Sequence, residues 1–410
     1  MLGGAAGGWG DTMRARTAGV GGRAAALVAT ACLGTMTVAV AAEERPRCGT
    51  GPHAGGSEEY LPEGSRRSTD HDVIRLGGDV VDMVLTDDFV YVLHKLTERY
   101  APGSYRTENV AVSRVDRRSR EVLRGDVLPA TSIFDLAHAG GWLWVYVVDY
   151  DEAGRHCAVL YQIDPGTLRV VDELRLPEPP PLRTGDVRSA TVDEPTPYDS
   201  SAMGEAPDGR HLWVTLGRHL HRVDARRGRI VETEVSEEMI DAVAVDPKGR
   251  HVYSFSYDDY RVTKRHIDHG TVLRRSAILS GRAFRLTASR HGVWVGDVGE
   301  DEVPEIRLIE GDDLESEGRA GAPGRSYSSA AVSGETLWFS GHEPPDASGR
   351  SAFRLYCADA ATGVLRSEEP QGPGGGDVVA DDEAVYVRTH DELPDEQGIV
   401  VVHPDPVCLE

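Results

Sequence analysis

Residues 242–253 read AVAVDPKGRHVY: an alternating apolar run, an acid and a proline, a Lys-Gly bend, and a second run entered through Val252-Tyr253. Alternation with a period of two marks a strand with one face buried. Asp, Pro and Gly in between supply the bend that lets a second strand return beside the first. The stretch is a β-hairpin whose second strand opens on an aliphatic residue followed by an aromatic one.

That opening recurs seven times, at Val90-Tyr91, Leu143-Trp144, Leu212-Trp213, Val252-Tyr253, Val293-Trp294, Leu337-Trp338 and Val385-Tyr386. Successive aromatics lie 53, 69, 40, 41, 44 and 48 residues apart, which is the period of four-stranded propeller blades. The wide step contains Pro-Glu-Pro-Pro-Pro at 177–181 and reads as an ordinary blade with an insertion at about 178–206. A large residue at one strand position per blade fills the gap between neighbouring sheets, so the aromatics mark the fold and do not form a ligand cage.

A second landmark follows each aromatic: a short run ending at an acid and a turn, at Asp116, Asp164, Asp224, Asp268, Glu310, Asp359 and Asp405. Another apolar run comes next, as in Arg229-Ile230-Val231. The chain is therefore expected to be all-β, a seven-bladed β-propeller of four-stranded antiparallel blades over residues 71–410. The seventh unit reaches Glu410 with no room for a fourth strand, while His71-Asp72-Val73-Ile74-Arg75-Leu76 is a strand-like run before the first unit. If that N-terminal strand completes the last blade, the ring closes and leaves no exposed inner edge.

Ala242 to Tyr253, with its proline, Lys-Gly turn and Val-Tyr strand, resembles the repeat of YVTN-type β-propellers, and Asp208-Gly209-Arg210-His211-Leu212-Trp213-Val214 is similar. The likeness spans roughly residues 71–410 but is close in these two blades only. It is specific for architecture and weak for function, since the family includes binding proteins and proteins of no known activity.

Before the repeats, Arg14, Arg16 and Arg23 precede an uncharged stretch from Ala24 to Ala42 that ends in small residues. This reads as a signal peptide over residues 1–41, cleaved after Ala41 or Ala42, with translation starting at Met1 or Met13. Residues 42–70 form a leader tail. The alternatives are a membrane anchor left by uncleaved residues 24–42 and lipidation of Cys32, which the apolar sequence beyond it disfavours. Cleavage removes three Arg and one Asp, leaving 41 basic and 66 acidic residues. A surface so acidic repels phosphate backbones and anionic membranes, which excludes nucleic acid as a partner. A secreted or extracytoplasmic location also permits disulfides among Cys48, Cys157, Cys357 and Cys408. The pair Cys48–Cys408 is attractive if the chain ends meet, but it leaves Cys157 and Cys357 in blades that are not neighbours.

Signatures of chemistry are sparse. The chain has no GxSxG elbow, HExxH, P-loop or dinucleotide fingerprint, and Pro373-Gly374-Gly375-Gly376 lacks the Lys-Ser/Thr of a phosphate cradle. His219 and His221 share one face of a strand and His266 and His269 flank a turn, but neither pair shows a third ligand, so both read as surface histidines. Glu300-Asp301-Glu302 and Asp312-Asp313 lack the spacing of a dedicated calcium loop and read as solvated turns; no cofactor is expected, with calcium the one candidate.

The propeller reading supplies one candidate site. Counting back nine residues from the aromatic reaches Asp82, Asp135, Arg285, Ser329 and Asp377; counting back twelve in the two blades with a longer turn reaches Ser201 and Asp241. These positions are expected to ring one mouth of the central channel, with Arg285 as counter-charge to four carboxylates. The favoured function is an extracellular binding or protein-interaction module whose mouth takes a cation or a small polar or basic ligand. The alternative is an enzyme on the same scaffold, such as a lyase, a glycoside-acting enzyme or a quinoprotein-like oxidoreductase, with its site at the channel mouth.

Overall fold

In the computed structural model of the chain, the described residues are 72–409 without 97–107, 131, 151–155, 178–201, 280–285, 299–303, 311–313, 321–325, 343–352, 371–375, 390–397 and 404–405. The signal peptide, the leader tail, Cys48, nearly all of the insertion and the acidic stretches at 300–302 and 312–313 lie outside them.

The first strand, β1 (Asp72–Arg75), stands apart from the repeats that follow. Blade 1 comprises β2 (Gly78–Leu85), β3 (Phe89–Leu96), β4 (Glu108–Asp116) and β5 (Val122–Ala130). Blade 2 comprises β6 (Ser132–Ala139), β7 (Trp142–Tyr150), β8 (His156–Ile163) and β9 (Val170–Arg175). Blade 3 follows as β10 (Met203–Glu205), β11 (His211–Leu216), β12 (His219–Asp224) and β13 (Arg229–Val235), and blade 4 as β14 (Ala242–Val245), β15 (His251–Ser256), β16 (Arg261–His266) and β17 (Val272–Arg275). Blade 5 is β18 (Leu286–Ala288), β19 (Gly292–Val298), β20 (Pro304–Glu310) and β21 (Glu315–Ala320); blade 6 is β22 (Ser326–Ser333), β23 (Thr336–His342), β24 (Phe353–Asp359) and β25 (Leu365–Pro370). Blade 7 takes β26 (Val378–Ala380), β27 (Val385–Arg388) and β28 (Gly398–Val402), after which α1 (Pro406–Leu409) follows.

Each of the seven sheets has four antiparallel strands, and in blades 1–6 these are consecutive in the chain. Blade 7 has the order β1-β28-β27-β26, with Asp72 opposite Val401 and Arg75 opposite Gly398. The strand beside His71 thus supplies the outer edge of the last blade. The first strands of successive blades touch around the whole ring, β26 meeting β2 at the closure.

All seven repeat aromatics are buried, from Trp144 at 0% exposed to Tyr253 at 5%. Several reach across to the Asp turn of the next blade. Tyr91 Oη donates to Pro165 O at 3.4 Å, Trp294 Nε1 donates to Ala360 O at 3.1 Å, and Tyr386 Oη accepts from Arg117 Nε at 3.2 Å across the closure. In blade 4 the turn residue Gly270 has φ +66° and lies so near Trp213 that a Cβ would come within 3.2 Å of the indole. Glycine is needed there for both reasons. The turns are tied by their acids: Asp164 Oδ1 accepts from the N–H groups of Gly166 and Thr167, and Asp359 Oδ1 from those of Ala361 and Thr362.

Blade 7 has no such turn, because its third and fourth strands come from opposite ends of the chain. In its place α1 lays Cys408 beside Trp338, and Thr336 Oγ1 donates to Cys408 O at 2.6 Å. Cys408 is disulfide-bonded to Cys357 on β24, with Cα atoms 5.8 Å apart. This corrects the attractive Cys48–Cys408 pair and its leftover Cys157–Cys357: the partner of Cys408 sits in the adjacent blade, where the missing turn would pack. Cys157 is also disulfide-bonded.

Candidate functional site

Strand pairing defines the candidate ring without counting. Asp82 lies opposite Leu93, Asp135 opposite Tyr146 and Ser329 opposite Ser340, in each case two residues beyond the repeat aromatic. Arg388, two beyond Tyr386, donates its N–H to Asp377 O, so Asp377 stands at the same level. In blades 1, 2 and 6 the register slips immediately before this position, between Val80 and Asp82, Ile133 and Asp135, and Tyr327 and Ser329. Such a bulge re-aims the side chain that follows it. Four of the seven sequence-derived positions are therefore structural equivalents, in mid-strand for Asp82, Asp135 and Ser329 and just before β26 for Asp377.

Blades 3 and 4 depart from this. Ala202 is the residue that faces Thr215, two beyond Trp213, and Ala242 faces Phe255, two beyond Tyr253. The ring position holds alanine there, and Asp241 is one residue short of it, accepting the N–H of Tyr257 at 2.6 Å on Oδ2. Ser201 and Arg285 lie outside the described residues.

The side chains at this level join neighbouring blades. Asp82 Oδ2 accepts the N–H of Leu136 at 2.7 Å, Asp135 Oδ2 accepts that of Met203 at 2.6 Å, and Ser329 Oγ accepts that of Val378 at 3.4 Å. Every acceptor takes the N–H one residue past the ring position of the following blade. The inner strand is the edge of its sheet, and a carboxylate from the preceding blade caps a donor that the ladder leaves unpaired. At the closing seam Arg388 hydrogen-bonds Asp79 and lies 3.9 Å from Asp377 Oδ2. It is the counter-charge seen among the described residues, and no sequence signal pointed to it.

Sequence reasoning also passed over Glu205, the last residue of β10. Its side chain keeps contact with water, yet the protein crowding it pushes its pKa up to about 7, against the pull of the His138 N–H that it accepts. No motif marks this residue; only strand parity and the position of the neighbouring blade place it there.

The histidine pairs separate. His266 and His269 stack with ring centres 4.1 Å apart, His266 Nδ1 accepting the Asp268 N–H and His269 Nδ1 bonding Thr271 Oγ1. His219 is half-buried, and His221 is fully buried, contrary to the surface reading. Among the described residues no three His, Cys, Asp or Glu side chains group as metal ligands, and no helix is long and apolar enough to cross a membrane.

No known family matches the chain, and no curated protein does. Solved structures similar to it include the WD40 domain of Neurospora crassa Pan2, with a TM-score of 0.50 and 8% identity over 81% of this chain and 91% of that one. A computationally designed protein, Ika8, gives a TM-score of 0.47 and 10% identity over 81% and 98% of the two chains. At this identity the Pan2 likeness concerns the propeller fold alone.

Proposed function

We propose that the chain is an exported binding module whose ring of inner-strand acids recognises a cation, a small polar or basic ligand, or a protein partner that presents such a group. The observation that carries this reading is the placement of Asp82, Asp135 and Asp377 at one pairing level of the inner strands of adjoining blades. Negative charge gathered at a mouth raises the local concentration of cations, and a formal net charge of −23 for the chain adds a long-range field of the same sign. Calcium is one of the cations that suits carboxylate oxygens. The disulfide Cys357–Cys408 fits an oxidising compartment, and the YVTN-type character of Ala242–Tyr253 fits a binding role.

Differential scanning fluorimetry with calcium chloride, spermidine and a Lys/Arg-rich peptide tests the site. A ligand at about 100 times its Kd adds about 2.7 kcal/mol to stability. At least one of the three is expected to raise Tm, and Asp377→Asn is expected to reduce that rise. Three flat responses, or a rise that Asp377→Asn leaves unchanged, would refute the reading. Intact mass of the exported chain tests the location, the expected N-terminus being at residue 42 or 43.

A further inference from the structure

The face of blade 3 that packs on blade 2 holds two imidazoles where the rest of the interface is aliphatic and aromatic. His221 pairs across strands with Val214 and His219 with Leu216, and both of those apolar side chains pack with Trp144, Tyr146 and Leu160 of blade 2. His221 is 0% exposed. Its Nδ1 is bonded to Thr233 Oγ1 at 2.8 Å, but its Nε2 is buried without a partner, and so is Nδ1 of the neighbouring His219. Two unmade hydrogen bonds side by side in a packed interface are costly, and one added group could satisfy both.

We infer that His219 and His221 form a two-imidazole site for a d-block divalent cation of the zinc class. Residues i and i+2 of a strand present their side chains to the same side. A cation about 2.0–2.1 Å from one nitrogen of each ring sets the ring centres about 5–6 Å apart for tetrahedral or wider angles. The two centres are 5.7 Å apart and the rings are edge to face. Thr233 does for His221 what an outer-shell group does in metal centres: with Nδ1–H donated to its hydroxyl, the lone pair is left on Nε2. Half-buried His219 provides the approach. Among the described residues no His, Cys, Asp or Glu completes a set of three ligands. With two ring nitrogens as the protein ligands, one fewer than in open zinc sites, the other coordination positions would go to water or to an incoming ligand. Imidazole without carboxylate selects this class over calcium or magnesium.

The test uses the full chain without a histidine tag, stripped with chelator and titrated with zinc chloride by calorimetry and with cobalt chloride by visible absorption. One equivalent of zinc per chain is expected, with visible cobalt bands from nitrogen ligation. His219→Ala is expected to weaken zinc binding by about tenfold or more, and Thr233→Val, at an exposed outer-strand position, by about tenfold. His266→Ala/His269→Ala is expected to bind as the wild type does, which separates the site from the stacked surface pair. Circular dichroism confirms that each variant is folded; if His219→Ala is not, Thr233→Val decides. No zinc uptake by the folded wild type overturns the inference. So does uptake that survives in both His219→Ala and Thr233→Val, or is lost only in the His266→Ala/His269→Ala variant.

Discussion

Removing the Cys357–Cys408 bond with Cys357→Ala/Cys408→Ser should loosen one seam of the ring and leave the opposite blades intact. The bond closes a loop with a sequence separation of 51, so its loss returns about 4 kcal/mol of chain entropy to the unfolded state. With an unfolding entropy of about 2.1 cal/mol/K per residue over a propeller of this length, Tm should fall by about 6 °C. The loss should also be local. Cys408 packs against Trp338 where other blades place an Asp turn, and α1 follows β28, which β1 pairs with to close the ring. Calorimetry without reductant measures the first effect and hydrogen exchange the second: amides of Asp72–Arg75 and Gly398–Val402 should lose protection while those of blades 3 and 4 keep it. A Tm within about 1 °C of wild type with unaltered exchange would refute the idea that this bond stands in for the missing turn.

Asp82→Ala leaves the Leu136 N–H without its acceptor and is expected to cost about 1–3 kcal/mol in urea unfolding, with Asp82→Asn costing less because its carbonyl oxygen still accepts. Arg120 has φ 65° at the turn position that is Gly228, Gly270 and Gly363 in other blades, so Arg120→Gly is expected to stabilise by about 0.5–1 kcal/mol; a loss would contradict the strain argument. Gly363→Ala should destabilise, since its φ is +76° and a Cβ would lie 2.4 Å from Arg319 O. The folded chain holds the Glu205 proton more tightly than the unfolded chain does, its pKa being raised to about 7. That contribution is present at low pH and is lost as pH rises from the ordinary carboxylate range through about 7; Glu205→Gln should flatten the stability profile in this window, and an unchanged slope would contradict it.

The blade pattern was legible because every blade repeats the same two demands on its sequence. A large buried side chain must bridge to the next sheet, and an acid must cap the turn beneath it, so Tyr91, Trp294 and Tyr386 or Asp164 and Asp359 recur at readable spacing. The ring position was legible in blades 1, 2, 6 and 7 by counting, because no extra turn residue intervenes. Counting failed in blades 3 and 4, where Pro207-Asp208-Gly209 and Pro247-Lys248-Gly249 lengthen the turn. Counting back twelve instead of nine is a step of three, but a strand has a side-chain period of two, and an odd step moves to the other face. Pairing places Ala202 and Ala242 there, an even step from the shorter blades. Arg388, Glu205 and the burial of His221 were not legible, since parity groups residues on a face without saying what that face meets. The Cys357–Cys408 pair was hidden for a related reason: nothing local reveals that α1 fills the place of a turn.

The ring is closed by pairing β1 with β28, and a cross-strand cysteine pair tests this most directly. Val73 and Val400 are partners in the β1–β28 ladder. In the Val73→Cys/Val400→Cys variant, oxidised and mapped by peptide mass spectrometry, the two positions are expected to link to each other in nearly all molecules and to raise Tm. Free thiols at both positions, or linkage of either one to a native cysteine, would contradict the closure.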